Sequence, residues 1–158
     1  MSLRPLLHLV GTGPAGEPGD ESRARAAKRD VSRAITKHLV NPVVRPLIER
    51  GLLDRSWALL ETRGRRTGRP RAVPLGNGLR GDVFWIVTEH GRHADYVRNI
   101  EADPRVRVKV RGRWRTGTAH LLPDDDPYAR LRALGRPVND AVLLAVGTEQ
   151  LVVRVDLD

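Results

Sequence analysis

Cysteine is absent from this chain of 158 residues, which excludes disulfides and thiolate metal sites and agrees with a reducing compartment. No apolar run approaches the ~20 residues that a membrane helix needs. The apolar stretch at residues 6–10 is too short for the core of a secretory signal, so a cytoplasmic protein without a transmembrane segment is expected. Aromatics are scarce: three Trp, two Tyr and one Phe. A nucleic-acid surface built on base stacking needs aromatics interleaved with basic residues, so this scarcity argues against specific nucleic-acid binding. The histidines at positions 8, 38, 90, 93 and 120 show no metal-ligand spacing, and no metal is expected. No serine stands out as a nucleophile.

What the chain has in excess is positive charge. Lys+Arg number 28 against 19 Asp+Glu, a formal net charge of +9, and nearly all of the cations are arginine. The guanidinium fork matches carboxylates and phosphates. A nucleic acid, an anionic surface and a phosphorylated cofactor are all partners of this kind.

The length implies one domain. Residues 1–22 read as a flexible N-terminal segment, Gly/Pro-rich from residue 11 onward, and residues 23–158 as a single cofactor-binding domain. Gly11, Gly13 and Gly16 match the dinucleotide-binding spacing. The match is rejected because Glu17, Pro18 and Gly19 interrupt the helix that should open there, and no strand ending in an acidic residue follows. A helix is expected from Ser22, with Val31, Ile35 and Leu39 as its apolar stripe. A short second helix opens at Asn41-Pro42, shortened or kinked by Pro46, and stops at Gly51.

Strands follow. They are expected at residues 57–62, 72–76 and 82–88, the last buried on both faces, with a turn at 77–81. After a polar loop at 89–92 and a helix at 93–102, Val106, Val108 and Val110 alternate with charged residues, and Gly112 turns the chain into a partner strand at 114–122. Asp126 and Pro127 cap a helix that ends at Gly135. A second short helix is expected near 138–146, and a final strand carries Leu151, Val153, Val155 and Leu157. The sum is an α+β fold: a small antiparallel split β-barrel of about six strands with peripheral helices.

Two groups carry chemistry. The loop at residues 63–71 holds Arg63, Arg65, Arg66, Arg69 and Arg71, with Gly64 and Gly68 allowing close backbone approach and Thr67 adding a hydroxyl. Guanidinium groups and backbone N–H groups together can wrap a phosphate or carboxylate. The second group, Thr88, Glu89, His90, Gly91, Arg92 and His93, sits where a strand ends and a helix begins. Helix N-termini meet anions, and His90 and His93 are of the residue type that exchanges protons near neutrality.

The run Leu59-Leu60-Glu61-Thr62-Arg63-Gly64-Arg65-Arg66-Thr67-Gly68-Arg69-Pro70-Arg71, followed by Pro74-Leu75, resembles the signature of the deazaflavin-dependent nitroreductase family. Tyr96-Val97-Arg98-Asn99-Ile100-Glu101-Ala102-Asp103-Pro104 and the valine-rich strand after it agree with the same family. The resemblance covers about residues 40–122. It implies a split barrel that binds coenzyme F420, a deazaflavin with a phosphate and an oligoglutamate tail. It also implies that Arg65, Arg66, Thr67, Gly68, Arg69 and Arg71 surround the phosphate and tail, and that Pro70 and Pro74 shape the strand. Val87 and Thr88 would face the ring, with Tyr96 and Asn99 beside the cofactor. The chain departs from the family at Glu89, near where a basic residue can occur, and at its C-terminal segment, where Tyr128 is the sole tyrosine.

The expected activity is therefore an F420H2-dependent reductase that passes a hydride to a small electron-poor acceptor: a quinone, an enone or a nitro compound. Proton delivery is open between Tyr96, His90, His93 and solvent. A homodimer is allowed. The alternatives are an FMN-dependent enzyme on the same barrel, a basic nucleic-acid-binding module without catalysis, and a cofactor carrier or sensor without turnover.

Overall fold

The structure is a computed structural model that describes residues 18–35, 41–50, 52, 55–136, 140, 143–144 and 147–158. Two helices open it, α1 (Pro18–Ile35) and α2 (Asn41–Glu49). Next come β1 (Trp57–Arg63), β2 (Pro70–Gly76), β3 (Leu79–Arg80) and β4 (Val83–Val87). A 3-10 turn, Gly91–His93, leads into α3 (Asp95–Ala102). The chain ends with β5 (Arg105–Val110), β6 (Arg113–Leu122), α4 (Pro127–Leu134) and β7 (Val152–Leu157).

The strands form one antiparallel sheet in the order β2-β1-β5-β6-β7-β4-β3. The last strand, β7, joins the two halves by pairing with both β6 and β4. The sheet curls around Leu60, Phe84, Ile86, Val106, Val108, Val153 and Val155, with Ile100 of α3 packed into the same cluster. Period-two alternation explains which residues enter it. On β5, Val106, Val108 and Val110 are buried while Arg105 and Arg107 are exposed. On β1, Ala58 and Leu60 point inward, and Thr62, two residues on, is equally buried. This is the split β-barrel of α+β class expected from the sequence.

Several boundaries differ from expectation. Among the described residues there are seven strands, because the turn at 77–81 contains the two-residue β3, which pairs Leu79 with Phe84 and Arg80 with Val83. The β1–β2 ladder runs to the pair Arg63 and Pro70, so the arginine loop is shorter than the sequence suggests. Helix α1 begins at Pro18, four residues before Ser22 and inside the segment expected to be flexible. Proline fits the first turn of a helix, where its missing N–H has no partner to lose; it starts this helix rather than breaking it. The next described element is the helix α2 and not a strand, which keeps the second ground for rejecting a dinucleotide site. Val31, expected in an apolar stripe, is exposed. Pro46 lies within α2, and the helix ends soon after it.

Helix α4 behaves as its caps dictate. The Asp126 carboxylate accepts from the N–H of Tyr128 at 2.9 Å and of Ala129 at 3.2 Å. Gly135 closes the helix in the left-handed region, φ 61°. Its Leu131 meets Val87 and Val152 in a second cluster on the outside of the sheet, and the Arg130 guanidinium stacks 3.6 Å from the Trp85 ring centroid. That cover is why β4 is largely buried on both faces. The N-terminal segment 1–17, residues 36–40 with His38 and Leu39, Gly51, and most of the helix expected at 138–146 lie outside the described residues. No described helix is long and apolar enough to cross a membrane.

Candidate functional site

The β1–β2 hairpin ends in a tight loop at 64–69. Gly64 N–H donates to the Arg69 carbonyl at 2.8 Å, and Gly68 N–H donates to the Gly64 carbonyl at 2.7 Å. Gly68 has φ 67°, a region that costs other residues about 1–2 kcal/mol. A Cβ on Gly64 would stand 3.1 Å from the Arg69 carbonyl and 3.2 Å from the Thr67 hydroxyl. Both glycines thus serve the compactness of the turn. The Thr67 hydroxyl accepts from Arg69 N–H at 3.3 Å.

Between this loop and α3 lies a cleft of about 600 Å³, within the ~300–1,000 Å³ usual for ligand sites. The loop contributes Arg65, Arg66 and Thr67, the start of β2 Pro70 and Arg71, and α3 Tyr96 and Asn99. With Gly64, which also lines the cleft, eight of the residues singled out in the sequence are therefore gathered in one place. Thr62, Val73 and Asp95 also line the cleft and were not singled out. Thr62 was inside the quoted signature, and Asp95 stands one helical turn before Asn99 on the same face; both signals were present.

The five arginines divide. Arg63 pairs with Asp103 at 3.6 Å and Arg65 with Asp95 at 3.2 Å. Arg66, Arg69 and Arg71 have no carboxylate partner among the described residues, and Arg66 and Arg71 line the cleft. Arg69 does not. Gly68 and Pro70 border a smaller hollow of about 210 Å³ on the other side of the hairpin.

The remaining residues named from the sequence lie elsewhere. Pro74 is buried in β2 opposite Leu59. Val87 packs in the second apolar cluster. The buried Thr88 hydroxyl accepts from the N–H groups of Gly91 at 2.9 Å and Leu151 at 3.1 Å, so it closes the loop after β4. His90 is buried with Nδ1 3.1 Å from the Thr148 hydroxyl, and His93 is exposed in the 3-10 turn. None of these five lines the cleft.

Tyr96 packs against the barrel cluster while bordering the cleft. Burial, reinforced by the negative charge of Glu89, pushes its phenol far above the usual range. Tyr96 therefore keeps its proton at neutral pH. Burial also pushes the Glu89 carboxyl up. Two uncompensated guanidinium groups, a hydroxyl and a glycine-bearing turn make one rim of the cleft suited to a phosphate or carboxylate. Val73 and Tyr96 supply apolar surface for a ring. The donor set fits a deazaflavin nucleotide.

The model of the F420H(2)-dependent quinone reductase family matches residues 32–158. Among solved structures, the F420-H2 dependent reductase FDR-A is similar at 22% identity, over 67% of this chain and 96% of its own, with a TM-score of 0.53. A domain-swapped dimer is similar at 21% identity, over 88% of this chain and 99% of its own, also with a TM-score of 0.53. At these identities the two likenesses establish the fold. No curated protein matches the chain. The family match spans most of the chain, both strand halves and the whole cleft, and on that ground the chain belongs to the F420H(2)-dependent quinone reductase family, as an oxidoreductase that draws on F420H2.

Proposed function

We propose that the cleft between the 64–69 loop and α3 is where this enzyme holds F420H2, with Arg66 and Arg71 on the anionic part of the cofactor, and that the acceptor is a quinone. The observation that carries this reading is the pair of cleft-lining guanidinium groups that have no carboxylate of their own among the described residues. Like charges gathered at one rim are unfavourable until an anion joins them. When bound, F420H2 supplies a hydride, and the protein supplies orientation and a dry pocket. Arg66 and Arg71 anchor the charged end, Thr67 offers its hydroxyl, and Val73 and Tyr96 exclude water from the ring.

Reduction of a quinone to a quinol takes one hydride and one proton. The Tyr96 phenol, held protonated by its surroundings, donates a hydrogen bond to a developing oxyanion at the cleft. His90 and His93 lie away from this position, so Tyr96 and solvent are the donors in this reading. The family description names quinone as acceptor; enones and nitro compounds are the competing acceptors. A homodimer belongs to the reading because a protein of similar fold is a domain-swapped dimer, and the cytoplasm is its proposed compartment.

Titration of the protein with F420, FMN and duplex DNA, each at several salt concentrations, tests the cofactor. F420 should bind tightest, with a gain for longer glutamate tails. DNA should bind weakly and with a steep loss in salt, since its affinity rests on phosphate contacts. Tight FMN binding without a response to F420 sinks the proposal. Turnover of F420H2 with a quinone, an enone and a nitro compound in parallel identifies the acceptor.

A further inference from the structure

The fold separates two kinds of arginine in the loop, and the separation depends on one buried amide. Asn99 of α3 is 4% exposed. Its Oδ1 accepts from the Arg65 backbone N–H at 3.2 Å and from Arg65 Nη1 at 3.0 Å. Its Nδ2 donates to the Thr62 hydroxyl at 3.0 Å, and Thr62 is itself buried in β1. One amide thus joins the last inward residue of β1 to the second residue of the loop. Arg65 completes the attachment by donating from Nη2 to the Asp95 carboxylate at 3.2 Å. Asp95 and Asn99 are four residues apart, on one face of α3. A lysine cannot reproduce this, because the guanidinium fork makes two directed bonds and an ammonium is a point charge.

We propose that Arg65, Asn99 and Asp95 are positioning residues that set the shape of the 64–69 loop before the cofactor arrives, and that the anion is left to Arg66 and Arg71. The proposal rests on the reading of the cleft given above. Arg65 is the one cleft-lining arginine whose charge is already met by a carboxylate, and its fork points at α3. Fixing the backbone at Arg65 N–H fixes the residue between Gly64 and Arg66. The two hydrogen bonds that close the loop, from Gly64 N–H and Gly68 N–H, begin and end around that residue. A loop held in its binding shape in the free protein avoids an ordering cost when the ligand binds. Asparagine suits position 99 because it offers an acceptor to two N–H groups and a donor to a hydroxyl without bringing negative charge towards the anion.

The test compares Asn99→Ala, Arg65→Ala and Arg66→Ala in two measurements. The first is amide hydrogen exchange at Gly64 and Gly68 in the protein without cofactor. The second is F420 affinity as a function of salt. Asn99→Ala and Arg65→Ala should each speed exchange at both glycine amides by at least about tenfold, and Arg66→Ala should not. Both should weaken F420 binding with an unaltered salt dependence, whereas Arg66→Ala should flatten it by removing a charge that meets the anion. Unchanged exchange at Gly64 and Gly68 in Arg65→Ala overturns the proposal. A flattened salt dependence in that variant also overturns it, because Arg65 is then a ligand of the anion. Arg65 lies at the surface, so its variant keeps the test decisive if Asn99→Ala does not fold. Failure of the parent protein to bind F420 counts against the cleft as the cofactor site, while the exchange measurement still decides the role of the clip.

Discussion

Arginine side chains five residues or fewer apart in the sequence have different roles here because their neighbours differ. Arg66 and Arg71 border the cleft, and Arg69 lies outside it. A hydrogen bond to a charged group contributes about 1.5–3 kcal/mol, so Arg66→Ala and Arg71→Ala should each weaken F420 binding by about tenfold to a hundredfold. Arg69→Ala should have the smallest effect of the three. Equal and small effects, measured by titration, would show that the loop is only a solvated basic tip. Glu89 gives a second prediction at this scale. Its folded-state carboxyl titrates above the usual range because it is buried, so the folded state resists its ionisation. Stability is therefore lost as pH rises through the ordinary carboxylate range and into the folded-state range. Glu89→Gln should raise the denaturation midpoint at neutral pH, and the gain should vanish in acid, where both forms are neutral. A gain that persists in acid would show that ionisation is not its cause.

Elements with a strong local signal were legible in the sequence. The strict alternation of Val106, Val108 and Val110 fixed β5 and its inward face. Asp126, Pro127 and Gly135 marked both ends of α4, and the observed caps are the ones those residues make. Replacing a capping aspartate with alanine typically costs ~1 kcal/mol, so Asp126→Ala should lower unfolding stability by about that amount, measured by denaturant titration. No change would mean that water satisfies the two N–H groups equally well. The elements that were missed had weak or contrary local signals. β3 is two residues long and exists through its pairing with β4, which leaves no periodicity to read. Pro18 begins a helix in a stretch whose Gly/Pro content reads as linker. The cleft itself was half legible: the arginines were visible, but their sorting depends on Asp95 and Asn99, about thirty positions away in the chain. The resemblance implies that Thr88 faces a ring, and in the structure its hydroxyl accepts from two backbone N–H groups. No sequence pattern distinguishes those two duties for a threonine.

At the scale of the molecule, the net charge of +9 is only partly available to a ligand. Arg105 pairs with Asp158, Arg107 with Glu61, Arg115 with Asp82 and Arg130 with Asp125. These pairs tie neighbouring strands and loops together on the outer surface, where each contributes little to stability. The charge that remains unpaired in the cleft is therefore more selective than the total suggests. The described side chains of α1 are exposed or half-exposed, and the family match begins at residue 32. Deleting residues 1–17, ahead of α1, should leave F420 affinity unchanged. A loss greater than tenfold, about 1.4 kcal/mol, would give that segment a part in covering the cleft.

The sheet also has an edge at β2, where two prolines stand four residues apart, Pro70 opposite Arg63 and Pro74 opposite Leu59. Positions at even spacing along a strand direct their N–H the same way. The ladder to β1 continues unbroken past both prolines, so the donors they lack are those that would face away from it. An outside strand approaching this edge meets two missing donors on either side of the Ala72 N–H, and prolines on an edge strand are one way natural sheets discourage fusion with other chains. The same hairpin that borders the proposed cofactor cleft is thereby a poor template for amyloid growth.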